Sequence, residues 1–151
     1  MNLLPPKERK KIPRKATQKN EASFWRTLKE QLKKSNLFNS WTRLETWAMP
    51  GVPDLLLCDK SGKFHFVELK SVTGKAVNLS PHQVSWQNKH SIASSWILIY
   101  KNATQTKPES FHLYHAKQAV ELSFDGLDVK AVYSSRNGAV DWCKLFKLLL
   151  K

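Results

Sequence analysis

Three side chains stand at a spacing that could hold a divalent cation against a phosphate. Pro53-Asp54 is followed by thirteen residues and then by Glu68-Leu69-Lys70. Two carboxylates and a backbone carbonyl are hard oxygen donors of the kind that Mg²⁺ takes, with waters and phosphate oxygens completing its shell. A lysine beside such an ion can assist deprotonation of an attacking water and can offset phosphate charge. Two carboxylates brought that close without a cation would repel each other, so the pattern itself asks for a metal.

The chemistry requires elements that bring these residues together, and the flanking sequence supplies them. Asp54-Leu-Leu-Leu-Cys58 reads as a short apolar strand, Asp59-Lys-Ser-Gly62 as a tight turn, and Phe64 to Lys70 as the returning strand of a hairpin. Side chains alternate along a strand, so Glu68 and Lys70 share a face while Leu69 points to the core. The hairpin folds Asp54 back toward Glu68. Glu21 to Ser35 has Phe24, Leu28 and Leu32 at helical spacing, with Trp25 widening the stripe. Leu37 to Met49 reads as a strand, and Pro50-Gly51-Val52-Pro53 as a loop. Ser80-Pro81 announces a helix to about Ser94, with serine as N-cap and proline in the first position. Trp96 to Tyr100 is a continuous apolar run, as in a strand covered on both faces. Further on, Ser110 to His115 suggests a strand and Ala116 to Glu121 a short helix. Val129 to Tyr133 suggests an edge strand, and Val140 to Leu150 a closing helix with Trp142, Leu145, Phe146 and Leu149 inward. The order implies one α/β domain with a mixed central sheet flanked by helices.

Composition narrows the function classes. The chain has 151 residues, room for one ordinary domain, and two cysteines with no CxxC pair, which excludes a disulfide scaffold and a zinc finger. No apolar run is long enough to span a bilayer, and the basic N-terminus has no apolar stretch behind it to make a secretory signal. A cytoplasmic protein with no membrane contact is the expectation. The 25 Lys and Arg against 12 Asp and Glu give a net charge of +13, which points to a polyanion, nucleic acid foremost. Residues 1–19 hold seven of the basic side chains, Lys7, Arg9, Lys10, Lys11, Arg14, Lys15 and Lys19, against the one acid Glu8. With Pro5, Pro6 and Pro13 opposing a helix, they read as a disordered basic arm preceding a domain over residues 20–151.

Pro53-Asp54 … Glu68-Leu69-Lys70 resembles the signature of the PD-(D/E)xK nuclease superfamily. Gly51-Val52-Pro53-Asp54 resembles the entry to that signature in its VRR-NUC group, and Leu79-Ser80-Pro81-His82-Gln83 resembles the group's Ser-Pro-x-Gln motif. Glu21 is similar to the acid these nucleases carry on their leading helix, and Arg43 stands where related Holliday-junction resolvases have an arginine. The ordered set spans Glu21 to Gln83; beyond about Tyr100 no motif can be placed. The resemblance implies a restriction-endonuclease-like domain. It implies Mg²⁺, with Mn²⁺ able to substitute, held by Asp54, Glu68 and the Leu69 carbonyl, with Glu21 nearby through water or a second ion. Lys70 would serve the nucleophilic water, Gln83 would orient that lysine or the scissile phosphate, and Arg43 would contact phosphate. Lys7, Arg9, Lys10, Lys11, Arg14 and Lys15 would add DNA contacts from the arm. Within that superfamily, small size, basic charge and the arm favour a phage or prokaryotic endonuclease acting in recombination or repair on four-way junctions or other branched DNA, and the resemblance implies a homodimer. A nuclease of the same fold cutting flaps, nicks or duplex, and a domain that only binds nucleic acid, are the alternatives.

Other residues have plainer readings. Glu45 rivals Glu21 as a third carboxylate, or pairs with Arg43 two residues away on the same face. His112 and His115 lie three apart in a strand and His82 and His90 two turns apart on a helix, so both are poor joint metal ligands. Cys58 reads as core, and Trp86 as the residue that packs its helix onto the sheet.

Overall fold

A computed structural model describes the backbone of residues 14–45 and 48–151, and the side chains of that range from residue 21 onward. Its elements in chain order are α1 (Arg14–Ser35), β1 (Phe38–Arg43), β2 (Leu55–Asp59), β3 (Phe64–Val72), α2 (Pro81–Lys89), β4 (Ser95–Lys101), β5 (Ser110–His115), α3 (Ala119–Asp125), β6 (Tyr133–Ser134) and α4 (Trp142–Leu149). The six strands form one sheet in the order β1-β2-β3-β4-β5-β6. Only β3 and β4 are parallel; the other neighbours run antiparallel. The parallel pair needs a crossover, and α2 is that crossover.

The sheet has helices on both faces. On one side Phe24, Leu28 and Leu32 of α1 and Leu145, Phe146 and Leu149 of α4 pack on Leu55, Leu57, Val67, Trp96 and Leu98. On the other, Val77, Leu79, Ala119 and Leu122 pack on Val72, Ile97 and Ile99. Strand β4 feeds both layers, with Trp96 and Leu98 to one and Ile97 and Ile99 to the other, and this is why its sequence is apolar without alternation. Trp86 packs α2 on the sheet, its ring 5.2 Å from that of Phe66 on β3. No helix among the described residues is long and apolar enough to cross a membrane.

Several boundaries differ from the sequence expectation. Helix α1 begins at Arg14, seven residues before Glu21, so residues 14–19 belong to the helix and not to a disordered arm. Arg-Lys-Ala-Thr-Gln-Lys contains no breaker, and a proline opposes a helix downstream of itself far less than one upstream. The rest of the arm, with Lys7, Arg9, Lys10 and Lys11, lies outside the described residues. So do the side chains of Arg14 and Lys15 on the first turn of α1. Strand β1 ends at Arg43 instead of Met49. The helix expected to reach Ser94 stops at Lys89, and β3 runs two residues past Lys70. The edge strand lies at Tyr133–Ser134, beyond the expected Val129 to Tyr133. Cys58 is half-buried and not in the core, because the inward positions of β2 are Leu55, Leu57 and Asp59.

A buried polar knot pins the β2–β3 hairpin. Asp59 Oδ1 accepts from the Ser61 N–H at 2.8 Å, the Ser61 hydroxyl at 2.6 Å and the Lys63 N–H at 3.0 Å. Asp59 Oδ2 lies 2.8 Å from Nε2 of the fully buried His65. These bonds, that from Ser61 first and that from His65 second, hold the Asp59 carboxyl well below the usual carboxylate range. The hairpin that carries Asp54 and Glu68 is thereby locked at its far end.

Candidate active site

The β2–β3 ladder ends at the pair Leu55 and Val67, and beyond it the two strands part. Asp54 occupies the first position past that end. Its Oδ2 accepts from the Leu69 N–H at 2.9 Å, so the carboxylate replaces the missing ladder partner and is fixed against β3. Its own carbonyl accepts from the Leu44 N–H at 2.8 Å. Glu68 follows on β3, 1% exposed. Glu68 and Lys70 share a face, and Lys70 Nζ lies 3.4 Å from Glu68 Oε1.

Helix α2 supplies the fourth group, through its cap. Ser80 Oγ accepts from the Gln83 N–H at 3.2 Å, and Gln83 Oε1 accepts from the Ser80 N–H at 2.9 Å. This reciprocal capping box holds the Gln83 amide with its Nε2 turned to the sheet, where it donates to Glu68 Oε1 at 2.6 Å. Gly51 makes the arrangement possible. It has φ +93°, and an added Cβ would overlap the His82 carbonyl, 2.6 Å from its carbon, on the first turn of α2. Only a residue without a side chain lets the loop before Asp54 lie against that turn.

Glu68 Oε1 thus accepts from Gln83 and faces the Lys70 ammonium, while Glu68 Oε2 is buried with no hydrogen-bond partner. Burial raises the Glu68 pKa first and the charge of Asp54 second, with Lys70 opposing, and the outcome is about 7 against an ordinary 4.5. A buried carboxylate oxygen without a partner is costly, and a cation would satisfy it. The donor set of Asp54 and Glu68 therefore fits a hard divalent ion.

These residues line a cleft of about 330 Å³ at the end of the sheet, closed on the other side by Glu21, Phe24 and Trp25 of α1. Arg43 lies at the same cleft with its guanidinium 5.0 Å from the centre of the Trp25 ring. It makes this cation–π contact and, among the described residues, no ion pair with Glu45, the alternative its spacing offered. The structure therefore brings Asp54, Glu68, Leu69, Lys70, Gln83, Glu21 and Arg43 to one cleft. Glu45 does not line it, because β1 ends two residues earlier and the alternation lapses. Glu21 is exposed and does not join Asp54 and Glu68 closely. Among the described residues no three His, Cys, Asp or Glu side chains converge as a metal-ligand group.

Sequence reasoning missed Ser71 and Asn78, which also line the cleft. Asn78 directly precedes Leu79-Ser80-Pro81, so its closeness to the motif was the available signal. It also missed the Asp59–His65 knot, which no local pattern announces. Compared with protein-family models, with curated proteins and with solved structures, the chain matches none.

Proposed function

We propose that the protein is a divalent-metal-dependent nuclease with a restriction-endonuclease-like domain, hydrolysing phosphodiesters in branched DNA as a Holliday-junction resolvase. The observation that carries this reading is the convergence of Asp54, Glu68, Lys70 and Gln83 on one cleft of a protein with net charge +13. A basic protein that only bound a polyanion would gain nothing from two carboxylates facing the phosphates. Asp54 and Glu68, with the Leu69 carbonyl, would hold Mg²⁺ or Mn²⁺, and Glu21, which lines the same cleft, would act through water. Bound there, such an ion lends Lewis acidity toward the phosphate and neutralises the two carboxylates.

The remaining work falls to the chain's own groups. Lys70 stands beside Glu68 and is the group that would orient an attacking water and offset charge on the phosphate. Gln83 holds Glu68 Oε1, which fixes the carboxylate's orientation. Arg43, steadied on Trp25, would contact a neighbouring phosphate. In the reaction a water oxygen bonds to phosphorus, one P–O ester bond breaks, and the leaving alkoxide takes up a proton. A homodimer would set two such sites on two strands, in the cytoplasm of a prokaryotic or phage-infected cell.

The test is cleavage of labelled four-way junction, flap and linear duplex in Mg²⁺ or EDTA. Paired symmetric nicks confined to the junction are the expected result. Cutting of flaps or duplex instead would reassign the substrate, and binding without cutting in either Mg²⁺ or Mn²⁺ would refute the enzyme reading.

A further inference from the structure

The chain beyond Tyr100, which carries no motif, builds a second cleft of about 910 Å³ along the β6 edge of the sheet. It shares no lining residue with the cleft at Asp54. Three exposed cations border it, Lys130, Arg136 and Lys144. Its two acids are already engaged. Asp141 Oδ1 caps α4 by accepting from the Lys144 N–H at 2.9 Å, and Asp128 Oδ1 accepts from Lys75 Nζ at 2.9 Å. Among the described residues none of the three cations makes an ion pair.

The cleft is held open by its own backbone. Arg136 is presented by a tight turn, Asn137-Gly138, with φ +50° and +75° at the two central residues and a bridge from Arg136 to Ala139. The N-terminus of α4 is tied to β6 where the Asp141 N–H donates to the Tyr133 hydroxyl at 2.7 Å. Its floor includes His112, whose pKa is held below the usual value by burial first and by nearby Lys101 second. Register places it relative to the candidate active site. Lys70 pairs with Ile99, Ile99 with His112, and His112 with Ser134, so all four lie at one level across the sheet. Three interstrand steps put the cleft about 14 Å from Lys70.

We infer that this cleft is a second phosphate-backbone site, where Lys130, Arg136 and Lys144 hold the nucleic acid a few phosphates away from the one being hydrolysed. The inference rests on the reading that nucleic acid is the substrate. A preformed groove with three unpaired cations, one acid ion-paired to Lys75 and the other turned to a helix cap, suits a strand of phosphates.

The test is the salt dependence of DNA binding by the full chain in Ca²⁺ or EDTA. Lys130→Gln, Arg136→Gln and Lys144→Gln are combined in one variant. A control of equal charge change, Lys33→Gln, Lys34→Gln and Lys60→Gln, alters exposed residues outside both clefts. All six positions are exposed, so both proteins should fold as the wild type does by circular dichroism. The groove variant should bind at least tenfold more weakly near 0.1 M salt. Its slope of log K against log salt should be lower by about 2–3, since each phosphate left without its cation removes about 0.9. Equal effects in groove variant and control would overturn the inference, since net charge would then explain both. Failure of the nuclease reading shows separately: cleavage retained by Asp54→Asn would sink the active site while a groove-specific loss of slope still stood. A wild-type chain with no affinity for DNA would end both.

Discussion

Glu68→Gln should make the metal-free protein more stable and catalytically dead. The folded chain holds the Glu68 carboxyl at a pKa of about 7 against an ordinary 4.5, because it is buried and faces Asp54. An acid whose pKa is higher folded than unfolded binds protons preferentially in the folded state. Its contribution is therefore fully present below pH 4.5 and is lost as pH rises through about 7. At 1.36 kcal/mol per pH unit, that interval sets a ceiling of about 3 kcal/mol by pH 8. Glutamine keeps the Oε1 acceptor for Gln83, removes the buried charge, and offers Asp54 a donor in place of a repelling oxygen. At about 2–4 °C per kcal/mol for a chain of this size, thermal unfolding in EDTA at pH 8 should shift upward by several degrees and by no more than about 12 °C. At pH 4 the wild type carries a protonated Glu68, and the gap should close. Millimolar Mg²⁺ should raise the wild-type midpoint at pH 8 by mass action and leave the variant unmoved. A variant no more stable than wild type at pH 8, or a gap independent of pH, would refute the claim that a strained carboxylate waits at this site for a cation. Stability surrendered at one position is the expected mark of a functional site.

Four further outcomes follow from the same geometry. Asp54→Asn should abolish Mg²⁺-dependent cleavage while junction binding in Ca²⁺ survives; cleavage that persists would exclude Asp54 as a metal ligand. Gly51→Ala combines an unfavourable positive φ with overlap on the His82 carbonyl. It should cost about 3 kcal/mol and displace Gln83, seen as a lower melting temperature and a perturbed Gln83 side-chain amide signal in NMR. Asp59→Ala removes three acceptor contacts from the turn and leaves buried His65 without its carboxylate, and should cost about 3 kcal/mol at neutral pH in denaturant titrations. Because the Asp59 pKa is lowered in the folded protein, that loss should shrink as pH falls below about 4, opposite in sense to the Glu68 effect. Deleting residues 1–13 should weaken DNA binding and reduce its salt slope, since four basic side chains go with them; an unchanged slope would mean that the arm does not touch DNA.

Much of the sheet was legible because its rules are local. The alternation of β2 and β3, the turn at Asp59 to Gly62, and the unbroken apolar run of β4 each follow from a side-chain period of two and from which faces are covered. The cap of α2 was legible for the same reason, since Ser80, Pro81 and Gln83 complete their hydrogen bonds within one turn. Where local patterns were weak, boundaries slipped. Nothing in Leu44 to Met49 says that β1 ends at Arg43, because that end is set by where β2 begins to pair. Asn137-Gly138 is a hairpin-turn signal that the sequence carries just past β6.

The chain's chemistry divides along the same line. Composition and order along the sequence determined that a strongly basic α/β domain carries two carboxylates and a lysine on a hairpin. Only the tertiary structure decided that Glu21 and not Glu45 reaches the cleft, that Arg43 rests on Trp25, and that one oxygen of Glu68 is buried without a partner. It alone placed Lys130, Arg136 and Lys144 around one groove. The physical reason is range. Propensity, periodicity and capping act over a few residues, whereas burial, desolvation and the meeting of charges are set by segments distant in sequence that share one sheet.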